Sequence, residues 1–161
     1  MNRIKEKTLQ SFIPFIPFIL ANYSFNSAWS IKMRPDDSLS ERIIGCAYTV
    51  ANTLGPGFLE KVYENALAHE VRKAGFSVSQ QQGIEVHYDG ILVGEFVADL
   101  VIDGTVIVEL KATQDHSNFY TAQCLNYLRA TGKPLCLLIN FGKAKIDVRR
   151  YERAEGLFQP G

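Results

Sequence analysis

Six consecutive residues, Val106-Ile107-Val108-Glu109-Leu110-Lys111, constrain the fold more than any other part of the chain. As a strand they are apolar on both faces until the charges arrive, and such a strand must be covered by helices on either side of its sheet. The residues before them supply its neighbours. Ile84, Val86 and Tyr88 alternate with polar residues, Asp89-Gly90 turns the chain, Ile91 to Ile102 reads as a long second strand, and Asp103-Gly104 turns it again. A three-strand meander results.

Helices flank the meander. Ser38-Leu39-Ser40-Glu41 fits a capping box, after which Ile43, Ile44, Ala47, Val50, Ala51 and Leu54 recur at helical spacing up to Gly55. Phe58 to Ala74 reads as a second helix with Leu59, Val62, Ala66 and Leu67 inward, and Gly75 stops it. Ser117 or Asn118 can cap a third, running to Thr131, and Leu135 to Ile139 and Lys145 to Arg150 supply two more strands. The order implies an α/β sandwich with a mixed sheet. Gly55-Pro56-Gly57 joins two helices rather than a strand and a helix, so it is no phosphate-binding loop of a doubly wound fold.

The segment outside this pattern is residues 1–35, an N-terminal extension ahead of a domain over 36–153 and a tail over 154–161. Arg3, Lys5 and Lys7 precede the apolar run Phe12 to Ala21, which superficially imitates a secretory signal. Pro14 and Pro17 interrupt it, and its length is about half of what spans a bilayer. We therefore expect no stable membrane association and a cytoplasmic protein, with Met33 an alternative start. Seventeen basic residues balance 17 acidic ones in the 161, so bulk charge draws in no nucleic acid, and such a partner needs a local patch. Lys133 to Arg153, with Lys145 and Arg149, is the best one; lysines on an exposed strand also discourage edge pairing. Cys46, Cys124 and Cys136 are odd in number, without a CxxC pair, and fit packed, reduced thiols. His69, His87 and His116 show no metal-ligand spacing, although His116 follows the third strand closely.

Chemistry is suggested by the charges that interrupt apolar strands. Asp99 lies within the second strand, and Glu109 and Lys111, two apart, share a face of the third. Two carboxylates offer hard oxygen ligands to a divalent cation, and an ammonium beside them suits phosphodiester hydrolysis. An E-x-K at a solvated strand end is the alternative reading. Register separates the two. A two-residue turn at Asp103-Gly104 would set Asp99 opposite Val108 and send Glu109 to the other face. An odd loop, such as Ile102-Asp103-Gly104 with a left-handed Gly104 and a G1 bulge, places Asp99 beside Glu109. The odd loop is the expectation.

Asp99 followed by Glu109-Leu110-Lys111 resembles the D...(D/E)xK signature of the PD-(D/E)XK nuclease superfamily, with Ala98 standing where its name has proline. Gly57-Phe58-Leu59-Glu60-Lys61-Val62-Tyr63 is similar to the G-x-x-E-x-x-Y pattern of its GxxExxY protein family, and Gln123-Cys124-Leu125-Asn126-Tyr127 resembles the Q-x-x-x-Y motif of its RecB-like branch. The resemblance covers residues 38–151 and implies a restriction-endonuclease-like three-layer core, a mixed β-sheet flanked by helices. It implies catalytic roles for Glu60, Asp99, Glu109, Lys111 and Gln123, with Mg²⁺ or Mn²⁺ held by Asp99, Glu109 and the Leu110 carbonyl. Tyr63, Tyr127, Lys145 and Arg149 would border a nucleic-acid substrate, expected to be DNA. The residues alone also allow Glu60 to be an acid favoured by the helix dipole, and Tyr63 and Tyr127 to be core aromatics. A non-cleaving module that binds nucleic acid or protein is the alternative function.

Overall fold

A computed structural model describes residues 35–114 and 118–153. The expectations for the N-terminal extension, the C-terminal tail, the Ser117 cap and His116 lie outside the described residues. Two helices, α1 (Pro35–Leu54) and α2 (Glu60–Lys73), lead into the strands β1 (Val78–Tyr88), β2 (Ile91–Ile102) and β3 (Val106–Lys111). Helix α3 (Asn118–Thr131) then precedes β4 (Leu135–Asn140) and β5 (Asp147–Glu152). The sheet keeps chain order, β1 to β5, and is antiparallel except at β3–β4, where α3 makes the crossover that a parallel pair requires.

Each face of the sheet is covered. Ile43, Ala47 and Val50 of α1 and Tyr63, Leu67 and Val71 of α2 pack on Leu100, Val108, Leu110, Leu137 and Ile139. On the other face, Cys124, Tyr127 and Leu128 of α3 pack on Ile107, Cys136 and Leu138. This is a three-layer α/β, restriction-endonuclease-like fold, with β3 and the wholly buried β4 at its centre. Among the described residues no helix is long and apolar enough to cross a membrane.

Several local expectations need correction. Helix α1 begins at Pro35, so Ser38 lies inside it rather than at its cap; proline opens a helix readily because its missing N–H has no partner there anyway. Ser40 instead donates to the Asp37 carbonyl and accepts from Arg150, which ties α1 to β5. Helix α2 starts two residues later than expected, and of its expected inward face Leu67 is buried and Ala66 packs on the core, but Leu59 and Val62 do not. Its buried stripe is Tyr63, Glu64, Leu67, Ala68 and Val71, whereas Leu59 is 79% exposed and Val62 is exposed too. The anchor is Tyr63, which stacks on Phe141 with ring centroids 4.6 Å apart and donates its hydroxyl to the Gly55 carbonyl. Strand β1 begins at Val78, six residues before the first expected alternation at Ile84, because an edge strand tolerates the polar run Gln80-Gln81-Gln82.

The β2–β3 loop is odd, as required, but it is Asp103-Gly104-Thr105, one residue beyond the expected position. Ile102 pairs with Val106, and the Thr105 N–H donates to the Ile102 carbonyl at 3.0 Å. Asp103 and Gly104 both take positive φ, 47° and 67°. Ser77 explains the shift: its N–H and hydroxyl donate to the Asp103 carboxylate at 2.8 and 2.9 Å, and its carbonyl accepts from the Asp103 N–H. Leu100 therefore stands opposite Val108, the last pair of the β2–β3 ladder, and beyond it Asp99 comes close enough to Glu109 for its charge to raise that carboxyl.

Candidate active site

Strand β2 changes face at Asp99. Ala98 packs in the α3 layer and Leu100 in the α1–α2 layer, although strict alternation would put them on one side. The β1–β2 ladder pairs Gln80 with Leu100 and Gln82 with Ala98 but leaves out Gln81 and Asp99. Freed from the ladder, the Asp99 carboxylate reaches β3, where Oδ2 accepts from the Leu110 N–H at 2.8 Å. The side chain takes the place of a backbone rung at the point where the strands part.

Glu109 is 2% exposed, and Oε1 accepts from Lys111 Nζ at 2.7 Å. Its other oxygen, Oε2, is buried with no hydrogen-bond partner among the described residues. Burial and then the charge of Asp99 push its carboxyl up to about 7, against the opposing bond and charge of Lys111. Burial works against the Lys111 ammonium, but the Glu109 bond and the charges of Glu109, Glu60 and Asp99 outweigh it and leave Lys111 above its ordinary value. That ammonium also lies 5.0 Å from the centre of the Tyr120 ring, a cation–π contact. Asp99 is raised chiefly by burial, moderated by the Leu110 bond and by Lys111.

Glu60 joins this group from the first turn of α2. Burial raises its carboxyl, the Lys111 charge lowers it, Asp99 raises it, and the Ala112 backbone amide lowers it. Gln123 sits on α3 and donates to the Tyr127 hydroxyl, which donates in turn to the Val97 carbonyl at 3.1 Å. Tyr63 and Tyr127, expected at the substrate border, are each 1% exposed, with hydroxyls committed to backbone groups. Arg149 is exposed and shares a cross-strand row with Leu138 and Glu109, roughly 10 Å away across two strand spacings. Lys145 is exposed in the segment before β5.

Other residues support the site without having been singled out in the sequence. Glu64, 3% exposed, accepts from Lys61, Gln80 and Gln81 at 2.7, 3.0 and 2.8 Å. Asn140 closes β4: Oδ1 accepts from the N–H groups of Thr113 and Gly142, and Nδ2 donates to the Thr113 carbonyl at 2.8 Å. The Phe141 N–H donates to the Lys111 carbonyl at 2.7 Å, so the chain leaving β3 is held from Lys111 to Thr113. Asn140 had one legible signal, a lone polar residue at the end of an apolar run; Gln81 had none. Cys124 and Cys136 are buried, and the Cys136 thiol is raised by its hydrogen bond with Cys124 and by burial. His69 and His87 are exposed.

The donor set fits a hard divalent cation. Among the described residues no three His, Cys, Asp or Glu side chains gather to hold a metal by themselves. The carboxylates of Asp99 and Glu109 remain, and a buried carboxylate oxygen without a donor among the described residues is the kind of atom that a cation satisfies. A family model described as the PD-(D/E)XK nuclease superfamily matches residues 37–151. The chain belongs to the PD-(D/E)XK nuclease superfamily. Among solved structures, it is similar to an alkaline exonuclease (LHK-Exo) from Laribacter hongkongensis, at 14% identity and a TM-score of 0.42 over 73% of this chain and 84% of that one. No curated protein matches it.

Proposed function

We propose that this superfamily member hydrolyses nucleic-acid phosphodiester bonds with a divalent cation, Mg²⁺ or Mn²⁺, and that it falls in the GxxExxY group through Gly57, Glu60 and Tyr63. The observation that carries the reading is Glu109 Oε2, buried close to Asp99 and Lys111 and without a hydrogen-bond partner among the described residues. Asp99, Glu109 and the Leu110 carbonyl would hold the cation, which supplies charge neutralisation at the phosphate and acidifies a water. Lys111 stabilises charge that builds on the phosphorus oxygens, while its bond to Oε1 keeps Glu109 in place. Glu60 adds negative charge from the α2 side, Gln123 borders the substrate on α3, and Tyr63 and Tyr127 brace those helices. Lys145 and Arg149 contact the backbone of a strand, read here as DNA, that runs beyond the cleaved bond.

Purified protein should cut DNA or RNA when Mg²⁺ or Mn²⁺ is added and stop when the metal is chelated. Asp99→Ala or Lys111→Ala should each abolish cutting; cleavage that survives both changes would remove the site assignment. A second reading, a non-cleaving binding module, is favoured by the apolar exposure of Ile91, Val93, Phe96 and Val97 on the β1–β2 hairpin, which suits a protein partner. Binding that is indifferent to Asp99→Ala, with no turnover under any metal, would select it.

A further inference from the structure

Gln81 belongs to none of the motifs, yet the backbone makes an exception for it. Within an extended strand its φ is 51°, a left-handed conformation that an L residue with a long side chain rarely takes and glycine takes freely. The pairings on either side, Gln80 with Leu100 and Gln82 with Ala98, keep the same register. The irregularity is therefore confined to the position facing Asp99. An outlier held in place by its surroundings points to a role for the side chain it carries.

That side chain bridges two carboxylates. Its Nε2 donates to Glu64 Oε2 at 2.8 Å and to Asp99 Oδ1 at 3.3 Å. Glu64 is a firm anchor, because Lys61 and Gln80 both donate to its other oxygen. Asp99 thus receives one donor from each neighbouring strand: Gln81 from β1 on Oδ1, and the Leu110 N–H from β3 on Oδ2. Two donors on opposite oxygens fix both the plane and the reach of a carboxylate, and a lone pair remains on each oxygen.

We propose that Gln81 is a positioning residue that orients the Asp99 carboxylate for a divalent cation, an inference that rests on the metal-dependent reading of Asp99 and Glu109. Groups that orient a ligand in this way change metal affinity or activity by about tenfold to a hundredfold when removed. The Gln81→Gly variant removes the amide and relieves the left-handed backbone, so the chain should fold as well as the parent. Mn²⁺ binding by calorimetry should weaken at least about tenfold, and kcat should fall with KM for the nucleic acid unchanged. Gln81→Asn keeps an amide at a position that tolerates positive φ but is one methylene short; it should fall between the two, and it decides the matter if the glycine variant does not fold.

Parental Mn²⁺ affinity and kcat in a folded Gln81→Gly protein would overturn the inference and leave the nuclease reading standing. So would lowered thermal stability with parental Mn²⁺ affinity, since that marks a purely structural role. A parent chain that neither binds Mn²⁺ nor cleaves would remove the reading of the site and the inference together.

Discussion

The Glu109 carboxyl decides how the site responds to pH. Folded, it titrates at about 7, while in the unfolded chain it returns to 4.5. Between those values the folded state keeps a proton that the unfolded state has released, so the contribution of Glu109 to stability is full below about 4.5 and is lost as pH rises through 7. The full loss is about 3 kcal/mol in the metal-free chain. Urea unfolding at pH 5 and pH 8 should show most of that loss in the parent and a smaller difference in Glu109→Gln, and Mg²⁺ should restore stability to the parent at pH 8. Equal pH dependence in the two proteins would show that Glu109 is not the group responsible. The acids were legible as a pattern because they interrupt apolar strands. Their shifted protonation was not, because it depends on which groups are packed around them and on how much water those groups exclude.

At the scale of elements, the site depends on how strand ends are held. Asn140 replaces a backbone rung by bonding both polar groups of Thr113, and Gly142 lets that backbone approach so closely that a Cβ would lie 2.3 Å from the Thr113 nitrogen. Asn140→Ala should cost about 3 kcal/mol, because the buried Gly142 N–H loses its bond to Oδ1 and two part-buried bonds to Thr113 go with it. Gly142→Ala should cost about 2 kcal/mol through the forced backbone shift. Both should also slow cleavage at temperatures where the chain is still folded, since the segment they hold begins at Lys111 and includes Ala112, whose backbone amide favours the Glu60 carboxylate. Denaturant midpoints and single-turnover cleavage rates check the two effects separately. Tyr63 acts similarly from α2: Tyr63→Phe loses the bonds to Gly55 and Phe58 and should destabilise the chain by about 1 kcal/mol. Helical spacing suggested Leu59 and Val62 as the inward face of α2. The stack on Phe141 put Tyr63 inward in their place, beside the expected Leu67, and sequence spacing has no access to a contact across 78 residues.

For the molecule as a whole, charge limits how nucleic acid can be held. The chain is formally neutral, and many cations are engaged internally: Arg150 with Asp37 and Glu152, Lys61 with Glu64, Lys73 with Glu70. Few phosphates can then be neutralised, so affinity should drop by roughly tenfold between 50 and 200 mM salt, against the thousandfold or more expected of 6–10 phosphate contacts. Fluorescence anisotropy with a labelled oligonucleotide across that range measures the slope, and a steep one would mean a basic surface beyond these residues. The order of helices and strands, the paired Asp-Gly turns and the covered central strand were determined by sequence alone, because apolar period and turn chemistry act over a few neighbours. Tertiary structure decided that Asp99 reaches the Leu110 N–H next to Glu109, that Glu109 keeps a buried oxygen without a donor among the described residues, and that Gln81 bends to reach Asp99. Those outcomes depend on hydrogen bonds such as Ser77 to Asp103, 26 residues apart, and on water excluded by layers that meet only when the chain has folded.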